Sequence, residues 1–242
     1  MSVLNSPSTD NPPVPAQELF TDSWNVYRKM VDNDYLFHRG AYGCLHQVLS
    51  EEIHKPFRFI DVACGDASKS VEALKGTLVS HYSGLDISEQ ALAIAAKNLK
   101  ALECSVTLQV CDFTKALSHW EQPADVVWIG LSLHHFLAPE KLEVMRCIKS
   151  IVGSKGRLLV YEDASPDGES RDAWLARWDA QKPFWTAYSE REWNYVTAHV
   201  HASDFPETDS VWRQLGNEAG FGRVQELFES PTKLFRIYSF QT

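Results

Sequence analysis

The sequence predicts an α/β chain built on a mostly parallel sheet with helices on both faces, and three observations predict it. Between residues 58 and 161, apolar runs of strand length alternate with helical patterns. The first run, Arg58-Phe59-Ile60-Asp61-Val62-Ala63, breaks into a tight turn of small residues, Cys64-Gly65-Asp66-Ala67-Ser68, and a helical pattern through Val71 and Leu74 follows at once. About 25 residues beyond Asp61 a second run ends in Gly84-Leu85-Asp86-Ile87-Ser88, with a carboxylate at the strand tip. A strand that feeds a helix through such a turn brings bare backbone close to a ligand, and the acidic tip beside it is where such sheets grip a ribose.

The elements follow in order. Residues 1–15, rich in Ser, Asn and Pro, bury too little apolar surface to order themselves and are expected to be a disordered tail. Residues 16–54 carry two helical patterns, one with Trp24, Tyr27 and Val31 on a face, the next with Leu36, Leu45, Val48 and Leu49. The second strand ends at Asp86, and Ser88 is a natural N-cap for the alanine-rich helix after it. Strand three spans Val106 to Cys111. Strand four, Asp125 to Ile129, is nearly continuous in apolar residues, as a strand buried on both faces should be. Pro139 suits the first turn of the next helix, and strand five spans Arg157 to Tyr161. Residues 164–204 are rich in large aromatics without a strand signal and are expected to be a helical cap. A last helix and two strands, Val224 to Phe228 and Leu234 to Phe240 around a turn at Ser230-Pro231, complete a core of residues 55–163 and 205–242.

Composition narrows the function classes. A net charge of −9 argues against nucleic acid or an anionic membrane as partner. No apolar run approaches a membrane span, no leader pattern opens the chain, and a cytoplasmic location is expected. Five scattered cysteines make no close metal or redox pair, and Cys64 is read as a small residue tolerated in the turn rather than a nucleophile.

The turn Asp61-Val62-Ala63-Cys64-Gly65-Asp66-Ala67 resembles the first motif of the class I S-adenosylmethionine-dependent methyltransferases, small-molecule type. Ala63 and Ala67 stand where that family usually has glycine, which the turn accommodates if both keep φ below zero. The resemblance implies a Rossmann-like seven-stranded sheet, mostly parallel with an antiparallel C-terminal hairpin, an N-terminal helical lid and an aromatic-rich insert after strand five. It implies S-adenosyl-L-methionine as cofactor and S-adenosyl-L-homocysteine as product.

Each part of that cofactor asks for a different group. Asp86 can accept from both ribose hydroxyls. Asp112 and Phe113 resemble the family's acidic and apolar pair at the adenine, with Ile87 as the opposite wall. Asp61, Ala63, Cys64 and Gly65 suit the methionine end, and carbonyls near Gly130 and Leu131 are implied there by the resemblance. Tyr27, Tyr35, His38 and Arg39, from the lid, are candidates for cofactor or substrate contact.

Methyl transfer needs alignment, exclusion of water and, for a protonated acceptor, removal of a proton. His134 and His135, just after strand four, stand where the reactants should meet and are the catalytic candidates. Glu162 and Asp163 after strand five, with Trp174, Trp178, Trp185 and Tyr188, suggest a pocket for an amine or a quaternary cation. Adjacent histidines rarely point at one ion, and His199, His201 and Asp204 lie in a stretch that resembles a connector, so no metal is expected. The expected partner is a small-molecule methyl acceptor, and a homodimer is compatible with the chain. Two other readings are a non-catalytic module that keeps the fold, and a nicotinamide-dependent oxidoreductase. The second predicts a three-glycine turn that the sequence lacks.

Overall fold

The computed structural model describes residues 24–242, so the expected tail and the start of the lid lie outside the described residues. Two helices, α1 (Trp24–Asp32) and α2 (His38–Glu51), precede the sheet. Its strands are β1 (Phe57–Val62), β2 (Val79–Asp86), β3 (Ser105–Val110), β4 (Val126–Gly130), β5 (Arg157–Ser165), the two-residue β6 (Glu207–Thr208), β7 (Arg223–Glu229) and β8 (Phe235–Gln241). Between them run α3 (Ser68–Leu74), α4 (Glu89–Asn98), α5 (Phe113–Ser118), α6 (Ala138–Val152), α7 (Arg171–Asp179), α8 (Glu190–Ser203) and α9 (Asp209–Glu218).

The strand order is β3-β2-β1-β4-β5-β8-β7, with β6 beside β5. Only β8 runs against its neighbours, pairing antiparallel with both β5 and β7. β1 pairs in parallel with β2 on one side and β4 on the other, so the chain reverses direction across the sheet there. The crevice outside the carboxyl ends of such strands is where open α/β sheets bind ligands.

Alternation along the strands sorts side chains into two apolar layers. Phe57, Phe59, Trp128, Leu159, Tyr161, Phe235 and Ile237 pack beneath the N-terminal helices and the cap. Ile60, Val62, Val127, Ile129, Leu158, Val160, Tyr238 and Phe240 face α6 and α9. Gly84 lets the first layer close. A Cβ there would stand 2.7 Å from Leu108 and 2.9 Å from the Cys64 sulfur.

Two expectations are corrected. β5 runs four residues past Tyr161, so Glu162 and Asp163 belong to the strand rather than to a segment after it. They pair with Arg236 and Phe235 of β8, while Ala164 and Ser165 pair with β6. Two adjacent acids end an apolar run in sequence, but the strand continues through them because β8 supplies partners for their backbone. Ala63 and Ala67 each adopt φ 55°, not a negative φ. A left-handed residue with a Cβ costs about 1–2 kcal/mol, so the turn stores strain beside the cavity described below.

The cap, α7 and α8, is held together by rings: Trp178 stacks on Trp193 at 6.1 Å, and Trp185 meets each edge-on at 5.3 Å. It is fastened to the N-terminal helices by Tyr35 stacked on Trp185 at 4.5 Å. The Ala187 N–H donates to the Tyr35 hydroxyl (2.7 Å), and the Tyr188 hydroxyl donates to the Val26 carbonyl (2.6 Å).

Candidate functional site

The turn after β1 is tied to the tip of β2. The Cys64 N–H donates to the Leu85 carbonyl, and the Gly65 N–H reaches Oδ2 of Asp86 at 2.8 Å. The other Asp86 oxygen accepts from Ser88, whose hydroxyl caps α4 as expected. Asp61 is buried behind the turn and accepts from the Tyr82 hydroxyl at 2.6 Å. Burial pushes its carboxyl up to about 6, against the pull of the Ser70 and Tyr82 hydroxyls. Burial also raises Asp86, against its backbone donors. The Cys64 thiol is pushed well up by burial and by Asp61 and Asp86, which suits an inert packing residue.

A second group forms at the end of β4. Leu131 takes a left-handed φ of 52° and donates its N–H to the Tyr161 carbonyl, turning the chain into a short helical turn over Leu133–His135. Glu162, fully buried, clamps that turn. Its Oε1 accepts from the Ser132 and Leu133 N–H groups, both at 2.5 Å, and its Oε2 lies 2.7 Å from His134 Nδ1. Burial alone would lower the His134 imidazole, but Asp163, Asp204 and Glu162 around it raise it to about 10. Glu162 is held low despite burial because His134 and the backbone donors favour its charge.

The connector after α8 brings Asp204 to these histidines. The Phe205 N–H donates to the His134 carbonyl at 2.8 Å. Lys141, buried over Trp212, donates at 2.6 Å to both the Phe205 carbonyl and Glu207 Oε1. Arg171 holds the Asp204 carbonyl from the other side at 2.8 Å.

One cavity of about 540 Å³ joins the two groups. Of the residues singled out in the sequence, Tyr27, His38, Ala63, Cys64, Gly65, Asp86, Ile87, Asp112, Phe113, Leu131, His134, His135 and Trp178 line it. Asp61 and Glu162 stand behind the wall and shape it. Tyr35, Trp174, Trp185 and Tyr188 do not line it and pack within or beneath the cap. Asp112 caps α5, its Oδ1 accepting from both the N–H and the hydroxyl of Thr114 while its Oδ2 lies 3.7 Å from the Lys115 ammonium. Ile87 keeps an exposed apolar face in the wall.

The wall also contains Asp163, which the sequence reading paired with Glu162, and Tyr42, His199 and Asp204, which it did not place in the site. Tyr42 follows His38 by one turn of α2, so helical spacing was a usable signal. Asp204 carried none, because only the fold brings it to His134.

The residues present fit S-adenosylmethionine. An acidic strand tip, a turn with exposed backbone and an apolar wall lie along one cavity of ligand size. The "Methyltransferase domain" family model matches residues 53–211. Carboxy-S-adenosyl-L-methionine synthase 1 of Yersinia pseudotuberculosis serotype IB (strain PB1/+) is 28% identical over 178 residues, 70% of this chain and 72% of that protein. Demethylmenaquinone methyltransferase of Leptospira interrogans serogroup Icterohaemorrhagiae serovar copenhageni (strain Fiocruz L1-130) is 26% identical over 208 residues, 80% of this chain and 78% of that protein. Among solved structures, magnesium protoporphyrin IX methyltransferase (ChlM) from Synechocystis PCC 6803 with bound SAH superposes with a TM-score of 0.63 at 14% identity, covering 93% of this chain and 97% of that one. The methyltransferase SibL in its apo form gives 0.58 at 19% identity, covering 94% of this chain, which spans 59% of SibL. Fold, cofactor cradle and family match agree, and the chain belongs to the methyltransferase domain family as a class I enzyme that uses S-adenosylmethionine.

Proposed function

We propose that the chain transfers the methyl group of S-adenosylmethionine to an oxygen or nitrogen of a small molecule seated under the cap. The observation that carries this reading is the single cavity running from the Gly65 turn and Asp86 to the wall of His135, Asp163, His199 and Asp204. Bound S-adenosylmethionine supplies an electrophilic methyl carbon on a sulfonium. Asp86 accepts from ribose hydroxyls, the turn backbone holds the amino-acid end, and Ile87 and Phe113 flank the base. Trp178, Val196, Val200 and Phe235 exclude water from the far half. His134 is engaged through Nδ1 by Glu162, so His135 is the imidazole assigned to take a proton from the acceptor.

Among the described residues no lysine or arginine lines the cavity, while Asp86, Asp112, Asp163 and Asp204 do. That favours a neutral or cationic acceptor, with the Trp178 face available to a cation. Among the described residues no helix is long and apolar enough to cross a membrane. A cytoplasmic location and a homodimer belong to the same proposal. The first rests on five unpaired cysteines, and light scattering tests the second. The test of function is acceptor-dependent formation of S-adenosylhomocysteine across panels of phenols, amines and carboxylic acids. No turnover with any panel, by protein that binds the cofactor, overturns methyl transfer, and turnover confined to the acids overturns the neutral or cationic acceptor.

A further inference from the structure

Three imidazoles surround one carboxylate oxygen in the cavity wall. Asp204 Oδ1 lies 3.8 Å from His134 Nε2, 3.4 Å from His135 Nδ1 and 4.0 Å from His199 Nε2. Donor atoms of His134, His135 and Asp204 all come within 4.8 Å of one another. Asp204 is 5% exposed, and its Oδ1 is buried without a hydrogen-bond partner among the described residues, while His135 Nδ1 also lies 3.4 Å from the Ser203 carbonyl. Orphaned polar atoms at such a place are costly unless something else binds them. A tetrahedral ion with ligands at about 2.0–2.1 Å puts its donors roughly 3.4 Å apart, close to the spacing found here.

We propose that His134, His135 and Asp204, with His199 beside them, bind a divalent transition-metal ion of the imidazole-preferring class, such as zinc. Two further features fit. Binding displaces the His134 Nε2 proton, and Glu162 on Nδ1 at 2.7 Å then gives the carboxylate–histidine support that orients metal-bound imidazoles. The backbone carrying Asp204 is fixed from both sides by the Phe205 N–H and by Arg171, so its carboxylate is held in place rather than swinging into solvent. All four side chains line the cavity, which leaves an open position toward the acceptor space.

The proposal deepens the methyltransferase reading by changing how the acceptor is activated. Beside the ion an acceptor hydroxyl ionises at lower pH, and its proton leaves to solvent. The acceptor lone pair then forms the bond to the methyl carbon. The sulfonium–carbon bond breaks with its electron pair left on sulfur. Imidazole donors favour zinc, cobalt or iron over magnesium.

The test uses chelator-treated, full-length protein equilibrated with Zn²⁺, with Co²⁺, or with either plus excess Mg²⁺. Metal retained after desalting is measured by mass spectrometry, and S-adenosylhomocysteine binding is measured on the same samples. The expected result is about one equivalent of zinc per chain, undisturbed by magnesium, lost in His135→Ala and Asp204→Asn but kept in the exposed control His201→Ala. Glu162→Gln should weaken retention about 10–100-fold. Folded wild-type protein that binds S-adenosylhomocysteine but holds no zinc overturns the metal site and leaves the methyltransferase reading intact. Zinc held without product binding supports the site and counts against that reading. Retention unchanged in both variants overturns the ligand assignment. Should the variants misfold, the Co²⁺ wild type decides. Visible absorption that zinc abolishes and magnesium does not supports the site, and its absence overturns it.

Discussion

The Glu162 carboxylate holds His134 by its Nδ1 at 2.7 Å while its other oxygen receives the N–H groups of Ser132 and Leu133. One buried side chain thus sets both the imidazole and the backbone of the turn that carries it. In Glu162→Gln the amide oxygen can keep the Ser132 and Leu133 donors, but its NH₂ then faces the His134 N–H, donor against donor. Loss of about 3 kcal/mol is expected in urea unfolding. A change below a few tenths of a kcal/mol would show that the clamp does not hold the turn.

Asp61 and His38 titrate against each other. Burial raises Asp61 to about 6 from an ordinary 3.8, so the folded state takes up its proton first and loses stability as pH rises from about 4 to 6. Burial lowers His38 to about 4 from 6.5, so the unfolded state takes up that proton first and folding gains stability as pH rises from about 4 to 6.5. Each effect is worth about 3 kcal/mol, and in the wild type they largely cancel. Asp61→Asn should therefore make stability climb with pH across this window, and His38→Gln should make it fall. Urea unfolding at a series of pH values separates the two, and parallel curves for both variants would contradict the assignment.

Asp86→Asn should weaken S-adenosylhomocysteine binding by about a hundredfold, since an amide loses the charge that strengthens hydrogen bonds from a diol. Isothermal calorimetry on folded protein decides it. Unchanged affinity removes Asp86 from the cofactor cradle.

The strained turn has its own signature. Ala63→Gly relieves about 1–2 kcal/mol of left-handed strain but gives back about 0.5–1 kcal/mol in unfolded-chain entropy. Thermal melts should show it equal to or slightly more stable than wild type. Ala63→Val, β-branched at φ 55°, should lose more than about 1 kcal/mol. Equal melting of Gly, Ala and Val forms would be incompatible with a left-handed residue there.

Lys141→Met leaves Glu207 and the Phe205 carbonyl without their buried cation, at a cost of about 3–5 kcal/mol. The connector that delivers Asp204 should loosen with it, read as faster amide exchange from 204 to 208 than the drop in global stability explains.

The sheet was legible because its strands obey local rules. Val126 to Ile129 is an unbroken apolar run, and Ser88 announces the helix it caps. The approach of the Gly65 turn to Asp86 was legible for the same reason, since strand, turn and tip are local and evenly spaced. What escaped depends on distant partners. Glu162 and Asp163 read as lying past the end of a strand until β8 pairs with them. His199 and Asp204 read as a connector until Lys141 and the His134 carbonyl draw them against the sheet. The Trp174 and Trp185 rings looked like a pocket because composition cannot say which face of a helix a ring fills. The sign of φ at Ala63 was likewise set by what the turn must reach.

Tyr35 and Trp185, stacked face to face, join two parts of the chain that are far apart in sequence into one roof. Neither half can lift while the other stays seated without breaking that stack and the Tyr188 bond to Val26. Displacing either half of that roof therefore costs the ring stack and the hydrogen bond together, which couples the N-terminal helices to the cap.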